Sequence, residues 1–400
     1  MFIRHIKRIA LLLTLALPLG VSAQVAMPDT ILHKPKPVEI SYYDQDSFDR
    51  PTLIEKIIKY FNNTNKVTAP KKFDFSILGG PYYSSDTKFG VGVVAAGLYR
   101  KNLADTINPA GQVNLYGSLS ITKYFKVGID GSQYFGNRSP WISYDVSFES
   151  MPDKFWGIGY AQCSDDANET RYKRWHASLE ASVLFRLLGD NFYIGPRILL
   201  DYLDGKHITR PDLWHNQKWK TFSDGIGFTI VYDSRDNEFN AYRGINFRLD
   251  QMFAPRFLGN KYAFSFTELN FNYYVPTWKG CILATRFHTR CTYGNTPWGL
   301  MSKLGGNVSM RGYWEGRYND KCAADLTIEL RQHVWKRIGV VAWGGVGEIF
   351  PRLEEIFKGH ALWNAGIGMR WEFKHRVNVR LDYGFGQHQQ GMIFSINEAF

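Results

Sequence analysis

Ala361-Leu-Trp-Asn-Ala-Gly-Ile-Gly-Met-Arg-Trp-Glu-Phe373 alternates without a break. Ala361, Trp363, Ala365, Ile367, Met369, Trp371 and Phe373 share one face; Leu362, Asn364, Gly366, Gly368, Arg370 and Glu372 share the other. A period of two is that of a β-strand. The first face suits lipid and the second a polar lumen, the alternation of a transmembrane β-barrel. Trp363 and Trp371 both lie on the apolar face. At ~3.3 Å per residue and a tilt near ~40° they are roughly 20 Å apart in height, about the spacing of two aromatic girdles.

The pattern recurs on either side. Val377, Val379, Leu381, Tyr383 and Phe385 alternate with Asn378, Arg380, Asp382 and Gly384; Leu326, Ile328 and Leu330 alternate with Asp325, Thr327, Glu329 and Arg331. A soluble sandwich also alternates, but it turns its apolar set into a shared core. Repetition separates the two. The alternation runs to the last residue, with Trp and Tyr at strand ends and no region left over for a separate core. Sixteen segments start near Phe73, Lys88, Gly111, Phe125, Trp141, Arg171, Phe192, Thr221, Arg243, Tyr262, Cys281, Lys321, Ile338, His360, Val377 and Gln390. An even number fits a bacterial barrel. Tight turns at Leu188–Asn191, Pro276–Gly280, Trp335–Arg337 and Lys374–Arg376 alternate with long polar loops near 149–170, 204–220, 294–320 and 351–359. Short periplasmic turns opposite long outer loops are the expected asymmetry. The turn Asp233–Arg243 is longer than its neighbours. The fold class is therefore all-β, a closed transmembrane antiparallel barrel of about sixteen strands.

The N-terminus reads as a secretory signal over 1–23. Arg4, Lys7 and Arg8 form a basic region, Ile9–Leu19 an apolar core, and Val21-Ser22-Ala23 a small-residue cleavage site. The apolar run is short for a membrane span, and no later stretch reaches ~18 apolar residues. Gln24, not Cys, follows the cleavage site, so no lipid anchor is expected there. Residues 24–72 form a periplasmic segment in which Leu53, Ile57, Ile58 and Phe61 recur at helical spacing. A short helix over Thr52–Asn62 could plug the barrel or serve as a tether.

The formal charge is +11, or +8 once the three signal cations are removed. A secreted barrel turns that excess toward anionic lipopolysaccharide or anionic solutes rather than nucleic acid. The count of 4 Cys is too low for a disulfide scaffold. No CxxC or HExxH spacing occurs, so no metal site, cofactor or catalytic cluster is expected.

The loop 294–320 contains Gly305-Gly306-Asn-Val-Ser-Met-Arg311-Gly312-Tyr313. With the turn Tyr232-Asp233-Ser-Arg235-Asp236-Asn237, the strand Thr327–Arg331 and, more weakly, Pro152–Gly159, it resembles the outer-membrane assembly-factor superfamily. This is the bacterial surface antigen family of BamA-like barrels, and the match covers about 73–400. Segment 24–72 is too short for the POTRA domains that usually precede such barrels, so the chain resembles a POTRA-less branch.

The resemblance implies that Arg311 folds back from the sixth outer loop into the lumen and pairs with acids on the inner wall. The matching acid on the twelfth strand is Glu329, which faces inward in the alternation. On the thirteenth strand Gly345 stands where an Asp is usual, and Asp325 or Asp382 could compensate. Gly305, Gly306 and Gly312 are read as permissive positions of a tight tip beside Tyr313. The alternative is a solvated cation at a loop end. Asp233, Arg235 and Asp236 suit turn hydrogen bonds and Arg–carboxylate pairs; calcium chelation is the lesser reading. Cys291 and Cys322 could face each other across the loop mouth as a disulfide, Cys163 could take one partner, or all could be free thiols.

The resulting expectation is a non-enzymatic protein of the Gram-negative outer membrane. It would handle protein or lipid in membrane biogenesis or be an accessory to that machinery. Outer-membrane lipid, lipopolysaccharide and other biogenesis proteins would be its partners. The alternative is a passive channel for small anions, lined by inward Arg370 and Arg380.

Overall fold

The computed structural model describes residues 72–84, 87–100, 102, 111–136, 138–374 and 376–400. The expected signal (1–23) and helix (Thr52–Asn62) lie outside these residues. The strands are β1 (Phe73–Ser84), β2 (Lys88–Tyr99), β3 (Gly111–Ser120), β4 (Phe125–Tyr134), β5 (Trp141–Phe155), β6 (Thr170–Leu188), β7 (Phe192–Lys206), β8 (Lys220–Asp233), β9 (Gly244–Ala254), β10 (Phe264–Pro276) and β11 (Cys281–Gly294). After a two-stranded ribbon, β12 (Ser302–Leu304) and β13 (Tyr318–Asp320), come β14 (Cys322–Trp335), β15 (Ile338–Phe350), β16 (Leu362–Lys374), β17 (Val377–Gly386) and β18 (Gln389–Ile396).

All but the ribbon close into one antiparallel barrel of sequential neighbours, with β11 beside β14 and β1 beside β18. The sixteen barrel strands begin within two residues of the starts read from alternation. No helix among the described residues is long and apolar enough to cross a membrane.

The side-chain distribution is the reverse of a soluble core. Leu326, Ile328, Leu330, Trp363, Ile367, Met369, Trp371, Tyr383 and Phe385 are exposed, whereas Thr327, Glu329, Arg331, Asn364, Arg370, Arg380 and Asp382 are buried. A contiguous apolar surface of this extent is untenable in water. It is what hydrocarbon requires of a barrel that pairs its backbone groups strand to strand within the wall.

Connections are long after β5, β7, β11 and β15 and tight after β6, β10, β14 and β16, while β17 and β18 are joined by residues 387–388 alone at the long-loop end. The first four strands depart from this pattern, since β3 and β4 are joined by residues 121–124 alone at the long-loop end. The loops are thus massed on one side of the outer mouth. Under them, Phe155, Tyr172, Leu203, Leu213, Trp214 and Trp298 form an apolar cluster.

The seam is uneven. β1 pairs with β2 along its whole length, but with β18 only at Tyr83↔Phe394 and Ser84↔Ile393. In this register the periplasmic stretch of β1 would need partners beyond Ile396, where β18 ends.

Candidate functional site

The segment between β11 and β14 carries the candidate site. β12 and β13 pair as Ser302↔Asp320, Lys303↔Asn319 and Leu304↔Tyr318, making a stalk for the tip 305–317. Gly305, Gly306 and Gly312 have φ of +105°, +98° and +112°, which L side chains rarely adopt. A Cβ on Gly305 would lie 2.2 Å from the Trp314 carbonyl oxygen. The tip is therefore too tight for any larger residue there.

Arg311 sits at that tip, and its side chain is 0% exposed. Its Nη2 donates to Glu329 on β14 and its Nη1 to Asp382 on β17 at 2.7 Å. Both carboxylates are themselves 0% exposed. The guanidinium carbon stands 3.8 Å from the centre of the Trp343 ring on β15. A planar cation is thus clamped between two carboxylates and stacked on an aromatic face, the arrangement guanidinium suits and ammonium does not.

Neighbouring charges extend the cluster. Arg331 donates to Glu329 at 2.6 Å, and Arg370 bridges Asp382 at 2.5 Å and Glu398 at 2.7 Å. Arg380 lies 3.4 Å from Asp382 and donates to the Asn307 carbonyl at 3.0 Å. Isolated buried charges are costly, and shared partners offset that cost.

The tip is also held by neutral contacts. Ser309 donates to Asp325 at 2.9 Å, Asn364 to the Arg311 carbonyl at 3.1 Å, and Tyr313 to the Trp363 carbonyl at 2.8 Å. Two glycines of β17 make room. A Cβ on Gly384 would come 2.5 Å from the Arg311 carbonyl oxygen, and one on Gly386 2.3 Å from the Tyr313 ring.

Of the two acids suggested as compensating for Gly345, Asp382 touches Arg311. Asp325 does not; this corrects the sequence reading. Its carboxylate is engaged by Arg286 at 2.5 Å and His288 at 3.1 Å, and it lies on β14 nearer the outer end than Glu329. The part that Trp343, Asn364, Gly384 and Gly386 play in holding the tip escaped the sequence reading. In a strand each reads as an ordinary inward residue, and only the packed loop distinguishes them.

The longer turn between β8 and β9 makes the second constellation. Arg235 grips Asp233 through Nε at 3.0 Å and Nη2 at 2.6 Å. Asp236 accepts from the Tyr242 amide at 2.9 Å and from Arg376 at 2.9 Å. Arg376 lies in the β16–β17 turn, also donates to the Asn240 carbonyl at 2.8 Å, and stacks 3.5 Å from the Tyr242 ring centre. β16 and β9 are not neighbours in the barrel, so this link crosses the periplasmic mouth. Burial alone would push the Asp236 carboxyl up; the amides and Arg376 outweigh it and hold it below its ordinary range. Residues 397–400 join this floor: Arg331 donates to the Phe400 main-chain oxygen at 3.0 Å, and Phe400 packs on Tyr274. The sequence reading had run the alternation to the last residue, but the strand ends at Ile396 and the chain turns inward.

All four cysteines are free thiols in the structure. Cys291 and Cys322 stand opposite each other across β11 and β14. Cys163 is buried in the β5–β6 loop, bonded to the Gly157 carbonyl, its thiol pushed up by burial to about 11. Among the described residues no group of side chains could hold a metal ion.

Known proteins can now be set beside this geometry. The Omp85 superfamily domain matches residues 112–400. At the level of sequence, no curated protein matches the chain. Among solved structures, BamA from Haemophilus ducreyi lacking POTRA domains 1–3 is similar at 14% identity and a TM-score of 0.54, over 82% of this chain and 70% of that one. CdiB from Escherichia coli is similar at 12% identity and a TM-score of 0.53, over 86% and 70%. CdiB from Acinetobacter baumannii matches at 12% and 0.51, over 82% and 60%. At these identities the likeness is one of fold.

Proposed function

This chain belongs to the Omp85 superfamily of outer-membrane barrels, and from that premise we propose that it works without enzymatic chemistry in outer-membrane protein or lipid biogenesis, directly or as an accessory. The observation that carries the proposal is the β1–β18 seam. Two residue pairs hold it, at the outer end only. Elsewhere neighbouring strands pair over many residues, as β5 and β6 do from Trp141 to Phe155. A strand edge left unpaired offers main-chain groups to a client segment by strand addition. The segment 305–317, bound through Arg311, Tyr313 and Asn364, would act as a lock inside the lumen while the wall opens at the seam.

A passive anion channel is the second reading, and the inner wall speaks against it. Arg174 pairs with Glu149 and Asp153, Arg197 with Glu180 and Asp250, Arg286 with Asp325, Arg290 with Glu268, and Arg370 and Arg380 with Asp382. Arginines already matched by carboxylates do not attract anions as a bare cationic lining would.

The test is depletion of the protein with a readout of outer-membrane protein and lipid. Complementation would use the wild type and a stapled Ser84→Cys/Ile393→Cys variant whose native cysteines are replaced by serine. The proposal expects a changed outer membrane on depletion, rescued by the wild type and by the reduced variant but not by the oxidised one. Unchanged protein and lipid on depletion, with impaired uptake of small anions, would favour the channel instead.

A further inference from the structure

The outward surface at the long-loop end carries a basic row that neither the lock nor the seam uses. Arg171 and Lys173 lie on β6, Lys206 on β7 and Lys220 on β8. Their strand parity is that of the exposed Ile198, Leu200, Phe222 and Ile226, so they face the membrane side of the wall. Lys173 and Lys206 are directly opposite each other in the β6–β7 register. Their ammonium groups converge on one ring, 5.0 Å and 5.8 Å from the centre of Trp175. Lys220 stands 5.6 Å from the Tyr202 ring centre. Asp204 lies in this row, opposite Lys220 and 3.5 Å from Lys206, and at its edge Lys154, opposite Arg171, is paired with Glu169 at 2.6 Å.

Like charges directly opposite on neighbouring strands repel and destabilise the pairing. Glu169 is taken up by Lys154, and Asp204 alone does not balance Arg171, Lys173, Lys206 and Lys220. An anion between Lys173 and Lys206 would relieve the repulsion. The height of the row says what kind of anion. Trp175 and Tyr202 mark the level where aromatic rings meet lipid headgroups. On the same face Phe222 stands opposite Tyr202, and Leu200, Ile198 and Ile226 continue the apolar belt below them, with Asp224 opposite Leu200. A ligand that fits therefore has a phosphate at headgroup level and acyl chains alongside the belt.

We propose that this face binds the phosphate groups of a phosphorylated glycolipid in the outer leaflet, with Lys173 and Lys206 as the principal contacts and Lys220 and Arg171 flanking them. The proposal rests on the outer-membrane placement of the barrel and not on a role in biogenesis.

The test uses the purified full chain in detergent, titrated with bisphosphorylated lipid A and with its phosphate-free form, and bound lipid counted by native mass spectrometry. The wild type should retain the bisphosphorylated lipid and lose it as salt rises. Lys173→Gln/Lys206→Gln should weaken retention about thirtyfold. Lys173→Arg/Lys206→Arg should bind like the wild type, as should Lys123→Gln at the same end of the barrel. Equal retention of the phosphate-free lipid, salt-independent retention by the wild type, or an unaffected Lys173→Gln/Lys206→Gln variant would each overturn the proposal.

Discussion

Replacing Arg311 by alanine removes one side chain from three others at once. The variant loses the bonds to Glu329 and Asp382 and the stacking on Trp343. Hydrogen bonds to charged groups contribute ~1.5–3 kcal/mol each, and a desolvated cation–π contact ~2 kcal/mol. The gross loss is partly offset, because neither carboxylate is orphaned. Glu329 keeps Arg331, and Asp382 keeps Arg370 and Arg380. Serine, tyrosine and asparagine contacts still hold the tip. A net local loss of about 3 kcal/mol follows, or roughly a hundredfold rise in opening of the tip. Hydrogen exchange of the 305–317 amides in detergent-folded protein measures this directly, with heat-modifiable gel migration as the check that the barrel remains closed. Arg311→Lys should recover only part of the protection, since an ammonium cannot fork to two carboxylates. Exchanging Arg311 with Glu329 should rescue poorly, because the new glutamate would face Asp382. If exchange in 305–317 is the same in the wild type and in Arg311→Ala, the lock reasoning is wrong.

Three further outcomes are expected. In planar bilayers the intact protein should give small, irregular currents, deletion of 300–315 should raise them, and Arg376→Ala in the floor should raise them further; large, stable, anion-selective channels from the intact chain would refute the occluded lumen. Treatment with an oxidised dithiol should join Cys291 to Cys322 by thiol–disulfide exchange. Thr292 donates to the Lys321 carbonyl, which makes the adjacent Cys291–Cys322 a non-hydrogen-bonded pair with Cα atoms ~4.5 Å apart, near the lower limit for a bridge; peptide mapping that shows only free thiols would count against it. The Asp236 carboxyl titrates below its ordinary value of 3.8. Its contribution to the floor should be complete above that pH and lost as pH falls below it, and amide protection of 234–243 that is flat through this range would contradict the assignment.

The barrel was legible in the sequence because lipid enforces alternation at every strand. Trp363, Ile367 and Trp371 could not face inward without placing Arg370 in hydrocarbon. The candidate site was legible only in part. Arg311 stood out through its glycine frame, and Glu329 through the family resemblance, with its parity placing it inward. Asp382 could be named only as one of two acids, since alternation fixes which face a residue lines and not which loop reaches it. Gly384 and Gly386 were invisible for the same reason: they matter through what lies against them. Inward turning of the chain after Ile396 was missed because the apolar residues Phe394, Ile396 and Phe400 continue the alternation past the end of the strand.

The reach of Arg311 also sets an order of events. Its two carboxylates come from β14 and β17, and the Asp382 contact joins residues 71 positions apart in sequence. Such a contact requires the intervening strands to be in register first, since long-range closure is entropically costly until its neighbours are placed. Gly384 and Gly386 sharpen the requirement, because the groove that receives the loop main chain does not exist until β17 lies beside β16. The tip therefore seats last. Protection of residues 305–317 would serve as a timestamp of barrel completion, appearing in a refolding experiment after the strands have closed.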